Sequence, residues 1–264
     1  MRASVTVAVA MAAMSTVSAC ETVYGPTSPS ADWTMVESSR FSLNTRPGSF
    51  CESQSAALTE LLEEQYTHTV AMLQLEGGAR ISMFLYNSGA ELTPSLPSAR
   101  SGVAFPETNA VHAVCVAPLD NDLRALLTHE ANHVIVQNGL GRAGTSFMNE
   151  GLASALVSER FGEIGPTFLH RWAHNNPGRV ISVTDLIDDT KWNSNSSDGY
   201  RSSASFLAFL IARYGAARLK LVYHARSSQL PARMHETYGA PLQSLEAEWR
   251  EALNDVYSAR RISR

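Results

Sequence analysis

The sequence predicts an α+β fold: a small mixed sheet with one packed helix, followed by a mostly helical half. Three observations predict it. Short β-rich runs bounded by turn residues occur only before residue 118. From Asn121 onward, apolar residues recur at helical spacing almost to the C-terminus. No internal repeat or low-complexity tract interrupts either half. At 264 residues, 44% hydrophobic and 17% charged, the composition excludes intrinsic disorder, collagen-like and coiled-coil chains. A formal net charge of −4 offers no basic face for nucleic acid. Three cysteines are too few for a disulfide scaffold.

In chain order, residues 1–19 have the layout of a secretory signal peptide. Arg2 precedes an apolar stretch from Val5 to Met14, then small residues, and the stretch is too short to span a bilayer. Val17-Ser18-Ala19-Cys20 resembles a bacterial lipobox, in which the cysteine becomes the lipid-bearing mature N-terminus. An ordinary cleaved leader with an incidental cysteine is the plainer alternative. Glu21 in the next position, by resemblance to the sorting rule of enteric bacteria, points to the outer membrane, with the protein facing the periplasm of the cell envelope. Residues 20–33 are rich in Gly, Pro, Ser and Thr and read as a flexible tether. The rest, 34–264, is expected to be one domain, with an α/β part to 117 and a helical part from 118.

Residues 34–43 hold a first strand candidate. Leu58, Leu61, Leu62, Tyr66, Val70 and Leu73 predict an amphipathic helix between Ser53 and Leu75, stopped by Gly77-Gly78. Ile81–Tyr86 is a strand, and Asn87-Ser88-Gly89 is turn chemistry. After a Pro- and Ser-rich loop, Gly102–Phe105 and Ala110–Ala117 suit a hairpin. His112 alternates with Val111 and Ala113, so it faces away from them and reads as a surface or edge histidine, with a place lining the cleft as the alternative. Leu123, Leu126, Leu127, Val134, Ile135 and Val136 line the next helix, which ends at Gly139 and Gly141. Further helices are expected over Phe147–Phe161, Asp198–Tyr214 (with Gly215 as its stop), Ala217–Ala225, Pro231–Tyr238 and Leu242–Tyr257. Trp172, Trp192, Trp249 and Met148 read as packing residues, and Arg201 as a helix-surface charge, with a substrate carboxylate or the neighbourhood of Glu150 as its alternative partners.

The chemistry is concentrated in His129-Glu130-Ala131-Asn132-His133, a match to H-E-x-x-H. Spacing of i and i+4 on a helix puts both imidazoles on one face, close enough to bind one ion. Glu130 beside them can hold a water without ligating the metal. The plainer reading is two histidines on the solvated edge of an amphipathic helix. A third ligand favours the site: zinc in hydrolytic sites takes three protein ligands and keeps a fourth position for water. Glu150 opens an otherwise apolar helix, and the glycines at 139, 141 and 144 allow a reversal that returns it beside the histidines. Its alternative role is an acid favoured at a helix N-terminus. The set implies one Zn²⁺ on His129, His133 and Glu150, with Glu130 as base, acting on a peptide or protein substrate.

HEANH followed by Asn149-Glu150-Gly151-Leu152-Ala153 resembles the gluzincin metallopeptidases, most closely the peptidase MA-like domains of bacterial secreted proteins and lipoproteins. The likeness extends through Ser82–Ser88, Ser101–Phe105 and Tyr200–Gly215. It implies a thermolysin-like zincin fold, with Ser101–Phe105 as the edge strand over the cleft, where an extended substrate adds as a further strand. It also implies an oxyanion donor downstream of the glutamate ligand, for which Tyr200 is the candidate; a tyrosine packed on its neighbours is the equal alternative. Two features depart from the family. Only sixteen residues separate His133 from Glu150. Where thermolysin-like enzymes carry an acid one turn after the glutamate, this chain has Ser154, which orients a histidine more weakly. That departure keeps open a second class of function, a binding lipoprotein that retains the fold without turnover. Lipidation of Cys20 would leave Cys51 and Cys115 as an even pair, either one disulfide in an oxidising envelope or two buried thiols.

Overall fold

The computed structural model describes residues 32–92, 101–157, 166–194 and 196–262. The leader, Cys20, nearly all of the tether and the Pro- and Ser-rich loop lie outside the described residues. Among the described residues, no helix is long and apolar enough to cross a membrane.

The architecture is α+β. Five strands form one sheet: β1 (Thr34–Glu37), β2 (Phe41–Thr45), β3 (Ile81–Tyr86), β4 (Gly102–Phe105) and β5 (Ala110–Val114), in the order β1-β2-β3-β5-β4. The central pairs β2/β3 and β3/β5 are parallel, and the outer pairs β1/β2 and β4/β5 are antiparallel. The segment 34–43 is therefore a hairpin, not one strand. Ser38 turns the chain: its hydroxyl accepts from the Phe41 amide at 3.2 Å, and its own amide donates to the Phe41 carbonyl at 2.8 Å. Strand β4 closes one edge of the sheet, joined to β5 by a 3-10 turn at Pro106–Thr108.

The helices are α1 (Phe50–Ser53), α2 (Ser55–Leu73), α3 (Gly89–Leu92), α4 (Asn121–Leu140), α5 (Ser146–Ala155), α6 (Pro166–Asn175), α7 (Val183–Leu186), α8 (Asp189–Ser194), α9 (Ser196–Tyr214), α10 (Ala216–Val222), α11 (Leu230–Tyr238) and α12 (Leu242–Ile262). Helices α2 and α4 cover one face of the sheet. Leu58, Leu62, Leu127 and Ala131 pack there on Phe41, Met83, Leu85 and Val111, all fully buried. The second core lies among α5, α6, α9 and α12, around Phe147, Leu152, Phe206 and Trp249. Helix α4 joins the two, since its Val136 and Leu140 pack in the helical core and its Leu123, Leu127, Ala131, Val134 and Ile135 in the sheet core. Helix α5 ends at Ala155, short of the expected Phe161; residues 158–165 lie outside the described residues. Helices α6, α7 and α8 were not expected. Cys51 and Cys115 are disulfide-bonded with Cα atoms 6.1 Å apart, tying α1 to the segment between β5 and α4.

His112 corrects the sequence reading. It faces away from Val111 and Ala113 as alternation requires, yet that second face of the sheet is also covered and the side chain is fully buried. Its ring stacks on Phe84 with centroids 4.8 Å apart and meets Phe105 edge-on at 5.4 Å. Nδ1 lies 2.9 Å from the Tyr86 hydroxyl, and Nε2 has no hydrogen-bond partner. Burial pushes its pKa down from 6.5 to about 4. The unfolded chain therefore binds a proton between those values that the fold does not, and stability falls as pH drops through that window. The expected loss is on the order of 3 kcal/mol from this side chain. Urea unfolding at pH 7 and pH 4.5 checks it: the difference between the two should shrink in His112→Phe relative to wild type.

Candidate metal centre

Helix α4 places His129 and His133 on the face turned away from the sheet. The helix begins at an Asp120 cap, whose carboxylate accepts from the Leu123 amide at 3.0 Å. It ends at Gly141, in a positive-φ conformation (+83°) that favours glycine. The five residues 141–145 then reverse the chain. Gly144 makes this possible at close quarters: its amide donates to the Tyr223 carbonyl at 3.0 Å, and a Cβ there would stand 2.3 Å from the Ala225 carbonyl oxygen. Thr145 caps α5 by accepting from the Met148 amide at 3.1 Å. Glu150 then arrives one turn into α5, opposite the two histidines.

The three side chains converge on a small triangle. His129 Nε2 and His133 Nε2 are 3.1 Å apart. Glu150 Oε2 is 3.3 Å from the first and 3.2 Å from the second. Bonds of 2.0–2.1 Å to a tetrahedral zinc require ligand atoms about 3.3 Å apart, so these three atoms match one face of a zinc tetrahedron. Among the described residues this is the one cluster of three or more His, Cys, Asp or Glu with metal-binding spacing. Neighbours fix which atoms face the ion. Ser154 Oγ lies 3.1 Å from His129 Nδ1, which leaves Nε2 for the metal. Asn149 Nδ2 donates to Glu150 Oε1 at 3.0 Å, which leaves Oε2. Burial alone would raise the Glu150 carboxyl, but hydrogen bonds and charge from both imidazoles hold it far below the usual carboxylate range. For His133, burial opposes protonation, and Glu150 with Glu130 outweighs it and raises the imidazole. The residues present thus fit one zinc ion.

Glu130 is 8% exposed and stands next to this triangle without belonging to it. Strand β4 passes so close above it that a Cβ on Gly102 would come within 3.0 Å of Glu130 Oε1. Both line one cavity of about 1430 Å³ with the three ligand candidates, Ser154 and Tyr200. The Tyr200 ring centroid is 6.0 Å from that of His129 and 5.3 Å from that of Trp192. Tyr200 thus lines the cleft and packs on a neighbour. Trp172, Trp192, Trp249 and Met148 are buried in the helical core, as expected of packing residues.

The sequence reading missed what holds α4 and α5 in register. Gln65 on α2, Thr69 on α2 and Asn132 on α4 are all fully buried. Gln65 Nε2 donates to the Leu156 carbonyl at 2.8 Å and to Asn132 Oδ1 at 3.0 Å. Thr69 Oγ1 donates to the same Oδ1 at 2.7 Å, and Asn132 Nδ2 donates to the Ala153 carbonyl at 2.8 Å. Asn132 lies inside the H-E-x-x-H motif, so this clamp ties the histidine helix directly to the glutamate helix. The signal available in the sequence was two amides and a hydroxyl on apolar helix faces. Asn132→Leu should destabilise the fold by about 2–4 kcal/mol, because it strands several buried polar groups. Zinc affinity should fall with it as Glu150 loses register; denaturant unfolding and zinc titration measure the two effects.

A model of the family described as predicted Zn-dependent protease (DUF2268) matches residues 58–190, half of the chain, from α2 to α8. The chain belongs to this family. All three ligand candidates and Glu130 of this DUF2268 protein fall inside the matched segment. Among solved structures, it is similar to an aminopeptidase N family protein from Idiomarina loihiensis, at 12% identity and a TM-score of 0.40. That match covers 83% of the DUF2268 chain and 41% of the other, so the chain spans about two fifths of that protein's length. No curated protein matches it.

Proposed function

We propose that this protein is a gluzincin-type zinc peptidase of the bacterial cell envelope, tethered through a lipid on Cys20. The observation that carries the catalytic reading is the triangle of His129 Nε2, His133 Nε2 and Glu150 Oε2, with edges of 3.1–3.3 Å, beside an acid that is not part of it. Zinc held there would supply Lewis-acid activation of water and of the peptide carbonyl. The chain's own residues do the rest. The outer edge of β4 would align an extended peptide over α4, with backbone hydrogen bonds fixing the scissile carbonyl near Glu130. Glu130 would accept the proton of the attacking water and return it to the leaving amine. Its enclosure between α4 and Gly102 keeps the carboxylate in place and limits competing water. Tyr200, which lines the same cavity, would donate its phenol hydrogen to the oxyanion. Comparing wild type with Glu130→Gln on a mixed peptide pool, both loaded with zinc, tests the reading. Hydrolysis by wild type alone supports it, and zinc-loaded wild type that cleaves nothing overturns it in favour of a binding protein.

A further inference from the structure

The cleft contains a cation that the proposed reaction does not use. Arg201 follows Tyr200 on α9 and lines the same cavity as the ligand candidates. It is half-buried, with its guanidinium carbon 5.5 Å from the Trp172 ring centroid. A cation–π contact of that kind orients the guanidinium plane and keeps its N–H groups available at the edge. Arg46, Arg179 and Arg250 each meet a carboxylate. No carboxylate among the described residues stands within 4.0 Å of the Arg201 guanidinium, and it makes no other ion pair. Two of the acids that share the cavity are engaged elsewhere. Asp189 accepts from the Ser146 amide at 2.9 Å, and Glu107 accepts from Gln137 at 3.1 Å. Arg142, the other cleft-lining arginine, is exposed to solvent.

A guanidinium that is partly desolvated and has no counter-ion is costly until an anion reaches it. Its platform is rigid: Gly151 of α5 sits so tightly on α9 that a Cβ would come within 2.7 Å of Ser203 Cβ. Arg201 shares the cavity with Tyr200, whose ring centroid is 6.0 Å from that of His129. We infer that Arg201 is a specificity-determining residue that selects peptides bearing a carboxylate close to the bond held at the metal centre. This rests on the peptide-cleft reading above. The carboxylate has two sources, an Asp or Glu side chain and a free C-terminus, and both offer the bidentate acceptor that arginine favours.

The test separates the inference from the reading beneath it by measuring binding as well as turnover. Peptides matched except for Glu, Gln or Lys at one scanned position, and for an acid or amide C-terminus, are titrated calorimetrically into the zinc-loaded Glu130→Gln protein. The same titrations use a second protein that also carries Arg201→Gln. One carboxylate-bearing series should bind about tenfold or more tighter than its neutral match, the worth of a charge-assisted hydrogen bond. Arg201→Gln should bring that ratio close to one, and Arg201→Lys should restore part of it. Discrimination confined to the Glu series identifies a side-chain carboxylate, and discrimination confined to the acid terminus identifies the chain end. Equal binding of acidic and neutral peptides, or a preference that survives Arg201→Gln in a protein of unchanged thermal midpoint, overturns the inference. Discrimination without any wild-type hydrolysis would leave Arg201 as the selector and sink the peptidase reading alone.

Discussion

Glu130→Gln should lower peptide hydrolysis by about 10²–10⁴-fold, the range for losing a positioned general base, while leaving one zinc bound per chain. Glutamine keeps the shape and most of the packing of Glu130, which is 8% exposed between α4 and β4. It cannot accept a proton. The candidate ligand triangle is built from other side chains, so metal binding has no reason to change. Steady-state kinetics and metal analysis on the same samples check both halves. A variant that hydrolyses peptides at the wild-type rate would remove Glu130 from the chemistry. A variant that loses zinc would mean that Glu130 is a ligand.

Removing a ligand should act on the metal itself. Glu150→Gln and His133→Ala should each weaken zinc by more than the roughly 10–100-fold seen when only an orienting neighbour is lost. Activity should disappear with the metal and return to wild type, but not to the variants, when zinc follows a chelator. The fold reports the same event. A ligand that binds only the folded chain stabilises it by about 4 kcal/mol at a thousandfold excess over Kd. Wild type should therefore unfold at a higher temperature in zinc, and the ligand variants should not. A similar zinc-induced shift in His133→Ala would place the ion elsewhere.

Both predictions depend on elements whose legibility differed. The periodicity of α4, the glycines that end it and the H-E-x-x-H spacing are local, and local rules of helix geometry suffice to read them. Glu150 required only the further inference that α5 doubles back, which Gly141 and Gly144 make feasible. The edge position of β4 was implied by the family resemblance, and the strand order has it there, paired to β5. The clamp of Gln65, Thr69 and Asn132 was not legible, because its partners are 63 to 91 residues apart and their convergence is a property of three packed helices. His112 was misread for a related reason. Strand alternation tells which face a residue is on, but not whether that face is covered; here Trp33, Leu92 and Phe105 cover it. The β1–β2 hairpin fits two strands and a turn into twelve residues, below the length at which periodicity separates one strand from two. Helices α7 and α8 are a few residues each and carry too few turns to show a helical period. For Arg201 the sequence allows a surface charge, a pairing near Glu150 or a substrate carboxylate; its place in the cavity and its lack of an ion pair among the described residues favour the last.

We propose that His129, His133 and Glu150 together hold one zinc ion. X-ray absorption at the zinc edge of the purified full chain tests it most directly. The structure predicts one zinc per chain in a four-coordinate shell of nitrogen and oxygen at about 2.0–2.1 Å, with the outer-shell signature of two imidazoles and no sulfur near 2.3 Å. That signature should be lost in His133→Ala. A chain that retains no zinc, or one whose zinc has sulfur ligands or survives the loss of His133, would contradict the account.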